Sequence, residues 1–219
     1  MKNRSIFIFG VIAFIITTFV HGQNFTIARI HYGGGGDWYS DPSSLPNLLK
    51  FLRDNTNIAV ADDEVRFRPT DQEFYQYPYL YLTGHGNVRF TEEEIVKIRG
   101  TLLRGAFLHA DDNYGMDISF REEMRRVFPN RDFIELPFDH PIFSVYYNFP
   151  RGLPKVHEHD GKPPQALGIF DEERLMVLYT YECDLGDGWE DSEVHNNPEE
   201  TRLKALQMGV NIIYYSMVQ

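Results

Sequence analysis

The chain has 219 residues, 42% of them hydrophobic, and a formal net charge of −11 at pH 7. That acidic balance argues against nucleic acid or an anionic membrane surface as the main partner. Cys183 is the single cysteine, so no internal disulfide can form and stability must come from a packed core, for which 15% aromatic residues supply material.

The N-terminal stretch reads as a targeting signal rather than as fold. Lys2 and Arg4 make a basic start, Ile6 opens an apolar run to Val20, and Val20-His21-Gly22 places tolerated residues before a cut ahead of Gln23. The run is short for a spanning helix, which needs about 20 apolar residues. The expectation is a signal peptide over residues 1–22, removed to leave one exported domain, residues 23–219, in the periplasm or outside the cell. Removal takes Lys2 and Arg4 along, moves the net charge from −11 to −13 and leaves no membrane span. A retained N-terminal anchor is the alternative.

Residues 25–31 alternate apolar and polar side chains and predict the first strand. They run into Gly33-Gly34-Gly35-Gly36-Asp37-Trp38-Tyr39, which stands where phosphate loops stand. It lacks the Lys-Ser/Thr of a P-loop and the spacing of a dinucleotide fingerprint, so no nucleotide cofactor is implied. Residues 44–53 put Leu45, Leu48, Leu49 and Leu52 at helical spacing, with Pro46 in the first turn. Short strands are predicted at residues 58–60 and 65–68, then a brief helix from Thr70 that must end before Pro78. Tyr79-Leu80-Tyr81-Leu82 is apolar on both faces, as a central parallel strand is, and ends in Thr83-Gly84-His85-Gly86.

Thr91-Glu92-Glu93-Glu94 is a helix start, with Thr as cap, Glu at N3 and acids at the positive end. Ile95, Ile98, Leu102 and Leu103 supply its buried face. Residues 106–108 predict a strand ending in His109-Ala110-Asp111-Asp112-Asn113, residues 117–127 a helix, and residues 132–136 a further strand. Residues 165–170 and 174–181 flank Asp171-Glu172-Glu173 as an antiparallel hairpin. Residues 184–191 read as a solvated acidic loop, because the Asp-x-Asp-x-Asp-Gly order of a calcium loop is absent. From Pro198 onward Leu203, Leu206, Val210, Ile213 and Met217 are spaced 3, 4, 3 and 4, a helix carried through Gly209 and Asn211. Strand–helix alternation predicts a three-layer α/β fold: a mostly parallel sheet with helices on both faces, plus a late β-hairpin and a C-terminal helix.

Open parallel sheets place their ligand crevice at the C-terminal strand ends. There His85, His109, Asp111 and Asp112 are the candidate catalytic groups, able to act as base and orienter. Gly35, Gly36, Asp37, Trp38, Gly84, Gly86, Asn113, Tyr114, His140, Trp189 and Glu190 are the candidate ligand-binding positions. Trp38, Tyr39, Tyr114 and Trp189 fall in predicted rim loops, where aromatic rings beside carboxylates suit sugars, or else lie over the sheet as packing lids. Loops bearing His85, His109, His140 and His157-Glu158-His159 could converge and, with Asp111 and Asp112, offer ligands to zinc or another divalent metal. No HExxH spacing exists, so the metal ligands stay unassigned. The plainer reading gives these groups structural work: His85 holding its loop, Asp111 capping the next segment, His140 fixing a turn before Pro141.

Several landmarks in order resemble the bacterial family DUF4159. They are the glycine-rich loop after the first strand, the run from Tyr79 to Gly86, the run from Gly105 to Asp112, and Phe138-Asp139-His140-Pro141-Ile142-Phe143. Gly186-Asp187-Gly188-Trp189-Glu190 and the closing stretch from Met208 to Tyr215 complete the set. The resemblance spans essentially the whole mature chain. It implies a flavodoxin-like fold of the class I glutamine-amidotransferase-like group, near the trehalose-utilisation (ThuA-like) domains, and it supplies no reaction. In that wider group a Cys nucleophile stands at the elbow after a central strand. Here the elbow reads Leu108-His109-Ala110-Asp111, so Cys-dependent amide hydrolysis is not expected. The expected function is an exported ligand-binding or assembly module, with a small-molecule, glycan or cell-envelope ligand or protein partner. The alternative is a hydrolase using His and Asp, with or without a divalent metal.

Overall fold

The computed structural model describes residues 24–157 and 159–219. The expected signal peptide and its cut, and Glu158, lie outside the described residues. Strands β1 (Ala28–Ile30), β2 (Val65–Phe67), β3 (Tyr79–Leu82), β4 (Phe107–Asp111), β5 (Ile134–Glu135), β6 (Gln165–Asp171) and β7 (Arg174–Tyr181) form one sheet in the order β2-β1-β3-β4-β7-β6-β5. β2, β1, β3, β4 and β7 run parallel, and β6 and β5 close one edge antiparallel. The strand order reverses between β1 and β3, which opens a crevice at their C-terminal ends.

Helix α1 (Ser44–Asn55), the short α4 (Leu185–Trp189) and the long α6 (Glu199–Val218), which follows the one-turn α5 (Ser192–His195), cover one face of the sheet. Helices α2 (Glu92–Leu103) and α3 (Asp117–Val127) cover the other. The alternation along β3 shows the division: Tyr79 and Tyr81 point into the first core and Leu80 and Leu82 into the second. A three-layer α/β protein is the result. No helix among the described residues is long and apolar enough to cross a membrane.

Local sequence rules account for several elements. α2 begins with a capping box, in which Thr91 Oγ1 accepts from Glu94 N at 3.2 Å and Glu94 accepts from Thr91 N at 2.8 Å. The helical periodicity of the C-terminal stretch holds through Asn211, whose buried side chain donates to Ile142 O at 2.9 Å and Tyr147 O at 2.8 Å and accepts from Tyr147 N at 2.7 Å. Gly209 lets α6 close on α1, since a Cβ there would stand 2.5 Å from Leu48 Cδ1.

Several expectations change. Leu103 is exposed and not part of the buried face of α2, and Val60 makes only an isolated bridge to Phe25 in place of the expected strand over residues 58–60. β4 does not end at Leu108 but carries His109 and Asp111 inside the sheet, because β7 pairs beside it as far as Thr180. The expected late hairpin is present as β6 and β7, and its second strand is an interior strand paired with β4. Residues 184–190 are buried, not solvated: α4 is wedged between α1 and α6.

Candidate functional site

The parallel strands deliver four loops to one pole. The glycine-rich loop after β1 pairs with the loop after β3: Gly33 N donates to Arg89 O at 3.2 Å, Gly36 N to Asn87 O at 3.0 Å and Asp37 N to His85 O at 3.2 Å. These amides are consumed by the neighbouring loop, which removes them from anion binding. Gly84 packs under the same closure, for a Cβ there would lie 2.2 Å from Tyr32 Oη. Asp37 accepts from the His85 amide and faces its Nδ1 at 3.1 Å, an exposed pair at the rim.

Below the rim, a buried polar chain crosses the sheet. His109, 0% exposed, lies between Tyr79 Oη, 3.2 Å from its Nδ1, and Thr180 Oγ1, 3.0 Å from its Nε2. Thr180 Oγ1 stands 2.5 Å from Asp111 Oδ1, and Gly186 N donates to Asp111 Oδ2 at 2.6 Å. Burial holds His109 neutral, pushing it down to about 3. Burial, reinforced by the nearby charge of Asp184, pushes Asp111 up to about 8. Asn113 bridges Thr83 Oγ1 at 3.3 Å and Asp41 Oδ2 at 3.0 Å. The candidate residues His109, Asp111 and Asn113 are thus satisfied from within.

The open chemistry lies one layer out. Asp41, Asp111, Asp112, Glu182, Asp184, Asp187 and Glu190 gather at this pole, none more than 7% exposed. His157 Nδ1 lies 2.5 Å from Asp187 Oδ2, and His195 Nε2 lies 3.3 Å from Asp187 Oδ1. His159 Nε2 lies 3.0 Å from Asp184 Oδ2, while its Nδ1 faces Asp112 Oδ2 across 3.8 Å, a charge contact without a hydrogen bond. Asp112 and Asp184 together raise His159 to about 10. Asp41 is raised to about 6 by burial, against the hydrogen bond from Asn113. Asp187 is raised by burial and by the Asp184 charge, and His195 is lowered by burial and by His157. Donor atoms of His157, Asp187 and His195 lie within 4.8 Å of one another, as do those of Asp41, Asp184 and Asp187. Two carboxylates that close repel by roughly 3 kcal/mol at an effective dielectric constant of about 20.

Asp41 and Asp184 hold this geometry at left-handed φ values of 53° each, unusual for residues with a Cβ. Gly186 permits it, since a Cβ there would meet Asp41 Oδ2 at 2.8 Å and Asp111 Oδ2 at 3.3 Å. Beside the cluster, a cleft of about 260 Å³ is lined by Asp112, Tyr114, Gly115, Ile118, His159, Lys162 and Tyr181, among others. A larger cleft of about 470 Å³ lies along residues 148–155 and α6, and no histidine or carboxylate lines it.

Other candidate positions fall elsewhere. His140 packs on Phe170 and Tyr215 at the opposite pole, where β6 turns into β7, so it cannot join the cluster. Trp189 is not on the rim but fully buried, donating from Nε1 to Ala205 O at 2.8 Å. Glu190 caps α1, accepting from Ser43 N at 2.8 Å. Trp38 stacks on His31 at 4.0 Å, whereas Tyr39 and Tyr114 are exposed. Gly35 and Gly86 are turn glycines with φ of 91° and 81°.

Sequence reasoning missed Asp41, Thr180 and His195, and set Asp184 and Asp187 aside as solvent-facing. The available signal was local: Asp184 and Asp187 precede His195 within one short segment. Cys183 is fully buried, and burial pushes its thiol well above the ordinary range. The native protein is therefore expected to leave a thiol reagent such as DTNB unreacted until it is unfolded, which absorbance with and without denaturant checks. Rapid labelling of the folded chain would contradict this burial.

No curated protein matches the chain. A protein-family model described as a domain of unknown function (DUF4159) matches residues 26–217, nearly the whole of the described structure. The chain belongs to the DUF4159 family.

Proposed function

We propose that the chain is a metal-dependent hydrolase whose cation is held by His157, Asp187 and His195. The observation that carries this reading is the placement of two imidazoles and one carboxylate with donor atoms within 4.8 Å of one another at the strand-end pole. Two nitrogens and one oxygen form the donor set of catalytic zinc and of mononuclear iron or manganese sites, which leave coordination positions for water and substrate. A cation held by these three residues would lower the pKa of a bound water toward about 7 and so supply a nucleophile without a Cys or Ser. The adjoining cleft accommodates a small ligand, with Tyr114 and Ile118 as apolar wall and His159 as the group that can hand a proton to a leaving oxygen or nitrogen. The exported, envelope-facing setting expected from residues 1–22 belongs to the same proposal.

Calorimetric titration of the chelator-treated protein with Zn²⁺ tests the site. Wild type is expected to bind, and His195→Ala to bind on the order of a hundredfold more weakly. Ester and phosphoester hydrolysis should depend on the added metal. Absence of binding by wild type, or binding that His195→Ala does not change, would refute the site.

A further inference from the structure

We propose that the centre takes a second divalent cation, held by Asp41, Asp184 and Asp187, so that Asp187 bridges two ions. This deepens the reading above and rests on it. The two donor groups share Asp187 and no other residue, so the two positions adjoin at one carboxylate.

The acidic residues alone would not make a site. The independent observation is Asp184. It is 3% exposed, its Oδ2 is engaged by His159 at 3.0 Å, and its Oδ1 has no hydrogen-bond partner among the described residues. Buried carboxylate oxygens are ordinarily paired, and an orphan inside a cluster of donors marks a missing partner. Asp41 is oriented from behind, because Asn113 Nδ2 donates to its Oδ2 at 3.0 Å, as outer partners orient metal-ligating carboxylates. The missing side chain of Gly186 leaves α4 free to settle onto these oxygens.

The two positions differ in chemistry. His157 and His195 give the first an affinity for zinc, iron or manganese, whereas the second offers oxygen alone and suits Mg²⁺, Mn²⁺ or Ca²⁺. Paired ions are the arrangement that clamps the attacking and leaving oxygens of one displacement.

Mn²⁺ alone serves as probe, since it fits both positions. The full chain, freed of metal and equilibrated with Mn²⁺, is analysed for bound metal and by electron paramagnetic resonance. Wild type is expected to bind two equivalents and to show the exchange-coupled spectrum of a bridged pair. Asp184→Asn should bind one equivalent with an uncoupled six-line spectrum, and His195→Ala should keep one. Asn is the residue best suited to the left-handed backbone at position 184, so that variant is expected to fold, which circular dichroism verifies. Asp41→Asn, which keeps a side-chain oxygen facing Asn113, is the second variant and should behave alike. One uncoupled equivalent in wild type, unchanged by Asp41→Asn and abolished by His195→Ala, overturns the second ion and leaves the single-ion reading standing. No bound Mn²⁺ in wild type overturns both.

Discussion

Arg29→Met is expected to destabilise the protein by about 3–5 kcal/mol, the cost of breaking a buried ion pair from one side. Arg29 and Glu64 meet at 3.4 Å with side chains 1% and 0% exposed. The guanidinium also donates to Ser40 O at 2.7 Å and Asp41 O at 3.3 Å, so one cation gathers the loop that carries Asp41 toward the sheet. Methionine fills the volume but takes the donor from Ser40 O, while Asp41 O keeps Ser44 Oγ at 2.7 Å, and it leaves Glu64 to Arg66 alone, which reaches it at 2.8 Å from a half-exposed position. Arg29→Lys should recover little, because a point ammonium cannot serve the fan of acceptors that a planar guanidinium does. Urea unfolding of both variants measures this. Losses below about 1 kcal/mol would show that the loop holds itself. The double variant Arg29→Met/Glu64→Leu should be less destabilised than Arg29→Met, since no buried charge is then left unpaired.

Thr91 and Glu94 announce α2 because a capping box is written in four consecutive residues, and α3 is legible from the spacing of Phe120, Met124 and Val127, four and then three residues apart on its buried face. Tyr79–Leu82 was readable as a central strand because both faces are apolar. Nothing local distinguishes His109 and Asp111 from loop residues. Their burial depends on Thr180 and Gly186, some 70 positions away, and polar residues read as surface until those partners are known. The acidic segment 184–190 misled for the same reason. Its burial comes from α1 and α6, and its carboxylates find His157, His159 and His195 as partners. His140 illustrates the converse: its neighbours Phe170 and Tyr215 fix it at the far pole, although its residue type matched the other histidines. The pole was legible from topology; which side chains face one another there was not.

Asp111→Asn is expected to raise the stability of the chelator-treated protein at alkaline pH by several kcal/mol. Below pH 8 the folded protein keeps Asp111 protonated, while the unfolded carboxyl, at its ordinary 3.8, has already lost its proton. Stability from this group is full below pH 3.8 and is lost as pH rises to about 8, above which both states are ionised and the loss is complete. About four pK units correspond to a loss of order 5 kcal/mol. Asparagine reproduces the neutral acid: its oxygen accepts from Gly186 N at 2.6 Å and its amide donates to Thr180 Oγ1, which donates in turn to Ala110 O at 3.2 Å. The variant carries no proton to lose, so its advantage over wild type should grow between pH 4 and 8 and then level off. His109 acts in the opposite direction in both proteins. Its folded value near 3 lies below the ordinary 6.5, so its contribution is present above pH 6.5 and is lost as pH falls toward 3. Because that loss is common to both, it cancels in the difference, and the comparison isolates Asp111. Denaturant midpoints across this range decide the matter: a difference independent of pH would mean that Asp111 is already ionised in the folded protein, its charge held by Thr180, Gly186 and the surrounding dipoles.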